Sequence, residues 1–268
     1  MSETLLAIDG DSLAHRAYHS VPKQVRLNAV VGFGNFLIRL WEAERPAAVL
    51  AGWDSLETPT YRHELLPTYQ SGREFEPSIV TQLAMLPAFV RSFGFLAAKA
   101  GGYEADDFLA AAVRGWPGPV LVATSDRDAY QLVSERVTIL QPIRGVSELA
   151  RIGIAEVHER YGVEPGQVPD FIALRGDPSD RIPGAPGVGA KTAASLLGKY
   201  GSLEAILGEG RFAPQAAELL LYRAIATMDA DAPLPPLEPT PPNWTTAAAH
   251  AHELGLGNLA GRLEEHAS

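Results

Sequence analysis

Three short apolar runs in this chain each close on an aspartate: LLAID (residues 5–9), AAVLAGWD (47–54) and PVLVATSD (119–126). Segments with helical spacing separate them, at residues 29–44, 79–93 and 103–115, and a fourth apolar run follows at 136–140. Continuous apolar runs of this length, without polar alternation, read as strands buried on both faces. Strands joined through helices run parallel, because a parallel pair needs a long crossover. The pattern therefore predicts an α/β body with a mostly parallel sheet flanked by helices. In such a sheet the C-terminal strand ends share one edge, where ligands bind. Asp9, Asp54 and Asp126 are expected to meet there, and core packing gives no reason to gather three acids.

More acids belong to the same edge. Asp128 follows Asp126 in SDRD. Glu104, Asp106 and Asp107 open the segment YEADDFLAAAVRG, and Glu104 and Asp107, three apart, share a helix face. A helix N-terminus also favours acids through its dipole, which is the plain alternative for these three. Asp177 and Asp180 lie in RGDPSDRIPG, where an Asx-type turn before proline is the plain alternative. Nine like charges repel and raise one another's pKa unless a counter-charge intervenes. Hard divalent cations supply it, and all-oxygen ligation suits Mg²⁺ or Mn²⁺. Two such ions roughly 3.5–4 Å apart are a known device for cutting phosphodiesters.

Net charge is −10, which looks wrong for a nucleic-acid binder. Without the nine acids, however, 23 acidic residues face 22 basic ones. The chain is nearly neutral outside the proposed site. It has no cysteine, which excludes disulfides, thiolate zinc sites and cysteine nucleophiles. The N-terminus lacks the basic and apolar regions of a signal peptide. No stretch approaches the roughly 18 apolar residues of a membrane span.

Beyond residue 150 strand signals cease. IAEVHERYG, VPDFIALRG, AKTAASLLGKYG and SLEAILGEG are short helical segments punctuated by glycine and proline. The expected division is a catalytic domain at 1–150, a helical domain at 151–230, and at 231–268 a proline-rich connection with a helix that packs back on the body. Within the helical region, GAPGVGAKTAASLL (184–197) is neither a P-loop, since Ala190 precedes Lys191, nor a dinucleotide fingerprint, since no strand precedes it. A tight Gly187-Val188-Gly189 turn opening a helix offers close backbone approach and free N–H groups to a phosphate, with Lys191 and Thr192 one turn in. An ordinary interhelical turn is the alternative. A hairpin of this kind grips nucleic-acid backbone without reading sequence.

Taken together, AIDGDSLAHRAYH, GWDSLETPTYRHE, YQSGR, GYEADDFLA, TSDRDAYQL, ALRGDPSDRIPGAPGVGAKTA and YGSLEAIL resemble the 5′→3′ exonuclease and flap endonuclease family through nearly the whole chain. The resemblance is to the nuclease domain at the N-terminus of bacterial DNA polymerase I, here as a stand-alone member. It implies a PIN-like body with a helix–three-turn–helix DNA-binding lobe. It implies two or more Mg²⁺ or Mn²⁺ ions, one site served by Asp9, Asp54, Glu104, Asp106 and Asp107, the other by Asp126, Asp128, Asp177 and Asp180. The hairpin residues Gly187, Val188, Gly189, Lys191 and Thr192 then hold the duplex, with a K⁺ ion. Arg16, Arg62, Tyr69 and Arg73 match positions near the scissile phosphate, arginine through its bidentate fork and Tyr69 by stacking on an unpaired base.

The implied substrate is DNA with 5′ ends, flaps or nicks. The implied protein is a cytoplasmic monomer acting at the bacterial nucleoid, with no membrane or protein partner. The family pattern departs at Gln70, where it has lysine, and in a shorter stretch between His19 and Gly32. Losing that lysine removes a positive charge beside the attacked phosphate. A weak member that mainly binds branched DNA, and a PIN-type ribonuclease, are the alternatives.

Overall fold

The computed structural model describes residues 3–55, 57–72, 74–144 and 148–267. Its centre is a six-stranded sheet in the order β3-β2-β1-β4-β5-β6. The strands are β1 (Leu5–Asp9), β2 (Ala48–Gly52), β3 (Leu96–Ala98), β4 (Val120–Ala123), β5 (Val137–Arg144) and β6 (Glu148–Ile152). Every pairing is parallel except β5 with β6. Two strands are additions to the sequence reading. β3 has only three residues, too few to show a period. β6, ELARI, is half exposed and carries charges, so it has no apolar run to recognise.

Helices α1 (Gly10–Ser20), α2 (Asn28–Glu44), α3 (Tyr61–Leu65), α4 (Pro77–Ser92) and α5 (Ala105–Gly115) connect the strands. After β6 come α6 (Ile154–Tyr161), α7 (Val168–Arg175), α8 (Ala190–Tyr200), α9 (Leu203–Gly208) and α10 (Ala216–Ala226). The chain closes with α11 (Trp244–Glu253) and α12 (Gly257–Ala267), two helices where one was expected. Between α10 and α11 the proline-rich stretch is extended and tied to the body, Thr240 N donating to Ala47 O and Asn243 N to Phe93 O, each at 2.8 Å.

Alternate residues of each strand enter opposite apolar layers, as the two-residue repeat of a strand requires. Leu6, Ile8, Val49, Ala51 and Leu121 face α1, α2 and α4, with Trp244, Leu259 and Leu263 of the C-terminal helices completing that layer. Leu5, Ala7, Leu50, Val120 and Val122 face Phe108 and Leu109 of α5. This second layer continues without a break into Phe171, Ile172, Leu197, Ile206, Leu219 and Ile225. The helical region therefore shares a core with the sheet, and its loops are fixed relative to the strand ends.

Two glycines set how closely the sheet edge and the helices meet. A Cβ on Gly10 would stand 2.6 Å from Gly52 O and 2.7 Å from the Trp53 ring. One on Gly52 would stand 2.5 Å from Ala105 O. No side chain fits at either position, so the ends of β1 and β2 and the start of α5 touch through backbone.

Candidate active site

That contact gathers the acids. A cleft of about 650 Å³ opens over the C-terminal strand ends. Its walls include Asp9, Asp54, Glu104 and Asp106 from the sheet side, and Asp126, Asp128, Asp177 and Asp180 from the loops opposite. Asp54 and Asp126 are two and three residues beyond their strands, in the loops after Gly52 and Ala123. Asp11 is an additional member.

Each carboxylate is aimed by hydrogen bonds. Asp9 caps α1: its Oδ1 accepts from Ser12 N at 3.0 Å and its Oδ2 from Thr124 Oγ1 at 2.6 Å. Asp11 Oδ2 accepts from Asp54 N at 2.7 Å, and Asp54 Oδ1 accepts from Ala105 N at 2.8 Å. Glu104 accepts from Thr60 Oγ1 and Tyr69 Oη at 2.9 and 3.0 Å. Burial, reinforced by Asp54 and Asp126, pushes the Asp9 carboxyl up to about 7. Burial also lifts Glu104 to about 7, with Asp54 adding to it and Arg62 opposing. Burial holds Asp11, Asp106 and Asp128 well above the usual carboxylate range, each with help from neighbouring acids.

The donor set fits a hard cation. It is all oxygen, crowded with like charge, and it leaves Asp106 Oδ1 buried with no hydrogen-bond partner among the described residues. The acids line an open cleft; among the described residues no three of them stand together closely enough to hold a metal ion as they are placed.

Arg62 lies beneath the cleft with its side chain only 2% exposed. It donates to Asp107 Oδ2 at 3.0 Å, Asp107 Oδ1 at 2.9 Å, Asp106 Oδ2 at 3.1 Å and Ile225 O at 3.0 Å, and stands 3.3 Å from Glu104 Oε2. Asp107 is wholly buried and saturated, accepting also from Tyr61 Oη, Glu104 N and Asp229 N. Across the cleft Gln70, held at φ +46°, donates through Nε2 to Tyr69 Oη at 2.9 Å and to Asp180 Oδ1 at 3.1 Å.

The glycine hairpin follows the Asp177–Asp180 loop. Ala185 N donates to Leu174 O, anchoring it to α7, and Gly189 is the N-cap of α8. Gly187, Gly189, Lys191 and Thr192 are exposed, whereas the Val188 side chain is buried.

Against known proteins, the 5′-3′ exonuclease N-terminal resolvase-like domain matches residues 4–162, and the 5′-3′ exonuclease C-terminal SAM fold matches residues 163–244. A 5′-3′ exonuclease of Streptomyces coelicolor is 34% identical over 96% of this chain and 98% of its own length. The chain belongs to the 5′-3′ exonuclease family. DNA polymerase I of Mycobacterium bovis is 42% identical over 76% of this chain, and the match takes up 24% of the polymerase. The fold is also that of the bacteriophage T5 flap endonuclease in a pseudo-enzyme–product complex with DNA and metal ions (TM-score 0.68, 19% identity, 98% of each chain).

Set against this family's pattern, four expectations need correction. Arg62 lines the cleft but is a buried counter-charge for Glu104, Asp106 and Asp107, with its guanidinium donors taken by these carboxylates and Ile225 O. Asp107 caps α5 and pairs with Arg62; its oxygens are used, and it does not line the cleft. Tyr69 lines the cleft but is 4% exposed and edge-on to His63, with its hydroxyl spent on Glu104. Val188 secures the hairpin from inside and leaves backbone to the surface. Arg16 reaches Ile143 O at 2.8 Å from the exposed face of α1, outside the cleft walls. Arg73 lies outside the described residues.

For Asp177 the turn and the cleft coincide. Its Oδ1 accepts from Ser179 N in an Asx turn while the residue lines the cleft. Sequence reasoning missed Asp11, Thr124 and Arg175. Asp11 had a signal, since in Asp9-Gly10-Asp11 the second acid falls in the first turn of α1. Arg175 had none: its bond to Asp177 Oδ2 at 2.9 Å depends on the turn at Gly176.

Proposed function

We propose that this chain hydrolyses DNA phosphodiesters at 5′ ends and 5′ flaps with two or more Mg²⁺ or Mn²⁺ ions. The observation that carries the reading is the cleft itself: nine carboxylates, counting Asp11, on one set of walls, several held above their ordinary pKa, with Asp106 Oδ1 unpartnered among the described residues. Asp9, Asp11, Asp54, Glu104 and Asp106 would hold one ion; Asp126, Asp128, Asp177 and Asp180 would hold the other. Bound there, such ions activate a water and stabilise the leaving oxygen of a phosphodiester.

The chain's own groups set the geometry. Ser12 N and Thr124 Oγ1 fix both oxygens of Asp9. Thr60 and Tyr69 fix Glu104. Arg62 offsets part of the cluster's charge from below. The N-terminus of α8, with exposed Gly187, Gly189 and Lys191, holds duplex backbone beside the cleft. The DNA and metal ions of the T5 fold neighbour, and the exonuclease name of the S. coelicolor relative, support the reading.

One observation favours slow chemistry: at Gln70 an amide, not a cation, faces Asp180. The test is cleavage of labelled 5′-flap, nicked and single-stranded DNA, and of matched RNA flaps, with Mg²⁺, Mn²⁺ or EDTA. Metal-dependent release of 5′ fragments from DNA is expected. Tight flap binding without cleavage would make the chain a branched-DNA binder, and preferential RNA cleavage would make it a ribonuclease.

A further inference from the structure

Two arginines on the cleft walls bond its acids, and they are held to different degrees. Arg62 spreads its donors over Asp106, Asp107 and Ile225 O, with a side chain 2% exposed. Arg175 is 25% exposed. Among the described residues it donates through Nη2 to Asp177 Oδ2 at 2.9 Å and through Nε to Gly176 O at 3.0 Å, and its Nη1 has no partner. The guanidinium lies over the rings of Phe171 and Tyr161, 5.2 and 5.8 Å from their centres. Those two rings stack on each other at 4.9 Å. They form a shelf that carries the cation whichever acceptor it uses.

Asp177 is one of the acids proposed for the second ion, yet both of its oxygens are engaged. Oδ1 accepts from Ser179 N at 2.8 Å, and Oδ2 accepts from Arg175. Ser179 N is neutral, and an oxygen that accepts from it keeps a lone pair for a cation. Arg175 is itself a cation, so a divalent ion at Oδ2 would stand against a like charge at close range. Among the described residues the acids as placed do not close on an ion, so holding one requires some carboxylate to change its bonding. The bond from Arg175 is the one that an ion would break. Freed from Oδ2, a guanidinium fork on the cleft wall matches the geometry of a phosphate.

We infer that Arg175 is an exchange residue: it holds Asp177 Oδ2 while the second ion is absent, and passes to a phosphate of the bound DNA when that ion takes the oxygen. Arg175 thereby couples the two ligands. DNA that occupies the fork leaves Asp177 to the ion, and an ion on Asp177 leaves the fork to DNA, so each binds more tightly in the presence of the other. The inference rests on the nuclease reading, and the outcomes below tell the failure of one from the failure of the other.

The first probe is Mn²⁺ alone, its binding to the DNA-free protein read from the electron paramagnetic resonance signal of the unbound ion. In Arg175→Met, whose side chain can still pack on Phe171 and Tyr161, the weaker Mn²⁺ affinity should tighten about tenfold, the scale of one hydrogen bond between charged groups. Arg175→Gln, which can still donate to Asp177 without a charge, should tighten it too and stands in if the methionine variant fails to fold. A residue that merely props Asp177 would give the opposite sign, so weaker or unchanged binding in both variants overturns the exchange. Arg127→Met removes an exposed cation from the same cleft; an equal gain there would assign the effect to cleft charge in general and also overturn it. The second probe is a 5′-flap DNA, its binding read by fluorescence anisotropy against KCl concentration. Arg175→Met should flatten the log–log salt slope by about 1 at fixed Ca²⁺ and leave it unchanged in EDTA. The same change in both conditions, or none in either, would overturn the exchange while the nuclease reading stands. A wild-type protein that binds no Mn²⁺ would overturn both.

Discussion

Replacing Arg62 by methionine separates two roles that the sequence leaves confounded. As a phosphate contact, Arg62 would matter for cleavage and hardly for folding. As the buried counter-charge seen in the structure, it matters for folding first. Its side chain is 2% exposed, and it meets Asp106 Oδ2, Asp107 Oδ1 and Glu104 Oε2 within 3.3 Å. Removing one partner of a buried ion pair costs about 3–5 kcal/mol, because the other charge stays buried alone. Here three acids are left, and Asp107 cannot reach water, being 0% exposed. At about 2–4 °C per kcal/mol for a domain near this size, Arg62→Met should lower Tm by roughly 6–20 °C in EDTA. Arg62→Lys keeps the charge without the fork and should fall between. The assay is thermal unfolding followed by circular dichroism, repeated with added Mg²⁺. A Tm within about 2 °C of wild type, with cleavage lost, would refute the counter-charge role and restore the phosphate contact.

Other outcomes follow from the same geometry. Asp9 and Glu104, both raised to about 7, hold protons in the folded state that the unfolded chain releases. Stability without metal must therefore fall as pH rises from about 4 through 7, by several kcal/mol for the pair; Tm measured in EDTA should drop over that range, and the Tm gain on adding Mg²⁺ should grow, whereas a gain independent of pH would argue against ion binding at these acids. Asp126→Ala should abolish cutting in a gel assay yet leave DNA affinity within about tenfold, since the α8 hairpin holds duplex separately; residual cleavage near the wild-type rate would remove Asp126 from the site. Lys191→Ala should weaken binding to all sequences alike and flatten the log–log salt slope by about 1; an unchanged slope would take Lys191 off the phosphates. Gln70→Lys should speed single-turnover cleavage by supplying the missing charge; an unchanged rate would show that Gln70 does not limit the chemistry.

What the sequence made legible was whatever depends on local pattern. Strands β1, β2 and β4 stand out because burial on both faces requires unbroken apolar runs, and Asp9, Asp54 and Asp126 stand out because they interrupt those runs. The hairpin at Gly187 was legible through glycine. What stayed hidden depends on which way a side chain turns. An arginine followed by HEL gives no sign that its guanidinium is sunk among Glu104, Asp106 and Asp107; that follows from α3 packing beneath α5 and α10, a contact between segments about 45 and 160 residues apart. Asp106 and Asp107 are adjacent and chemically identical, yet among the described residues one keeps an unpartnered oxygen at the cleft and the other spends all its capacity inside.

That difference bears on how the cluster survives without an ion. An array of ten carboxylates, the nine of the cleft and Asp107 behind them, is tolerable because the protein treats its members unequally. Asp107 is neutralised by Arg62, and Asp177 is partly offset by Arg175. Asp9 and Glu104 can hold protons near neutrality. The remaining charge, facing the open cleft, is what a cation would take up. Gly10 and Gly52 make this arrangement possible: with any side chain there, β1, β2 and α5 would be forced apart, and Asp9, Asp54 and Glu104 with them. Substituting alanine at Gly52 should therefore weaken Mg²⁺-induced stabilisation as well as folding, though no ligand has been altered. Should Gly52→Ala fold with its Mg²⁺ response intact, close backbone approach would not be what sets the spacing of these acids.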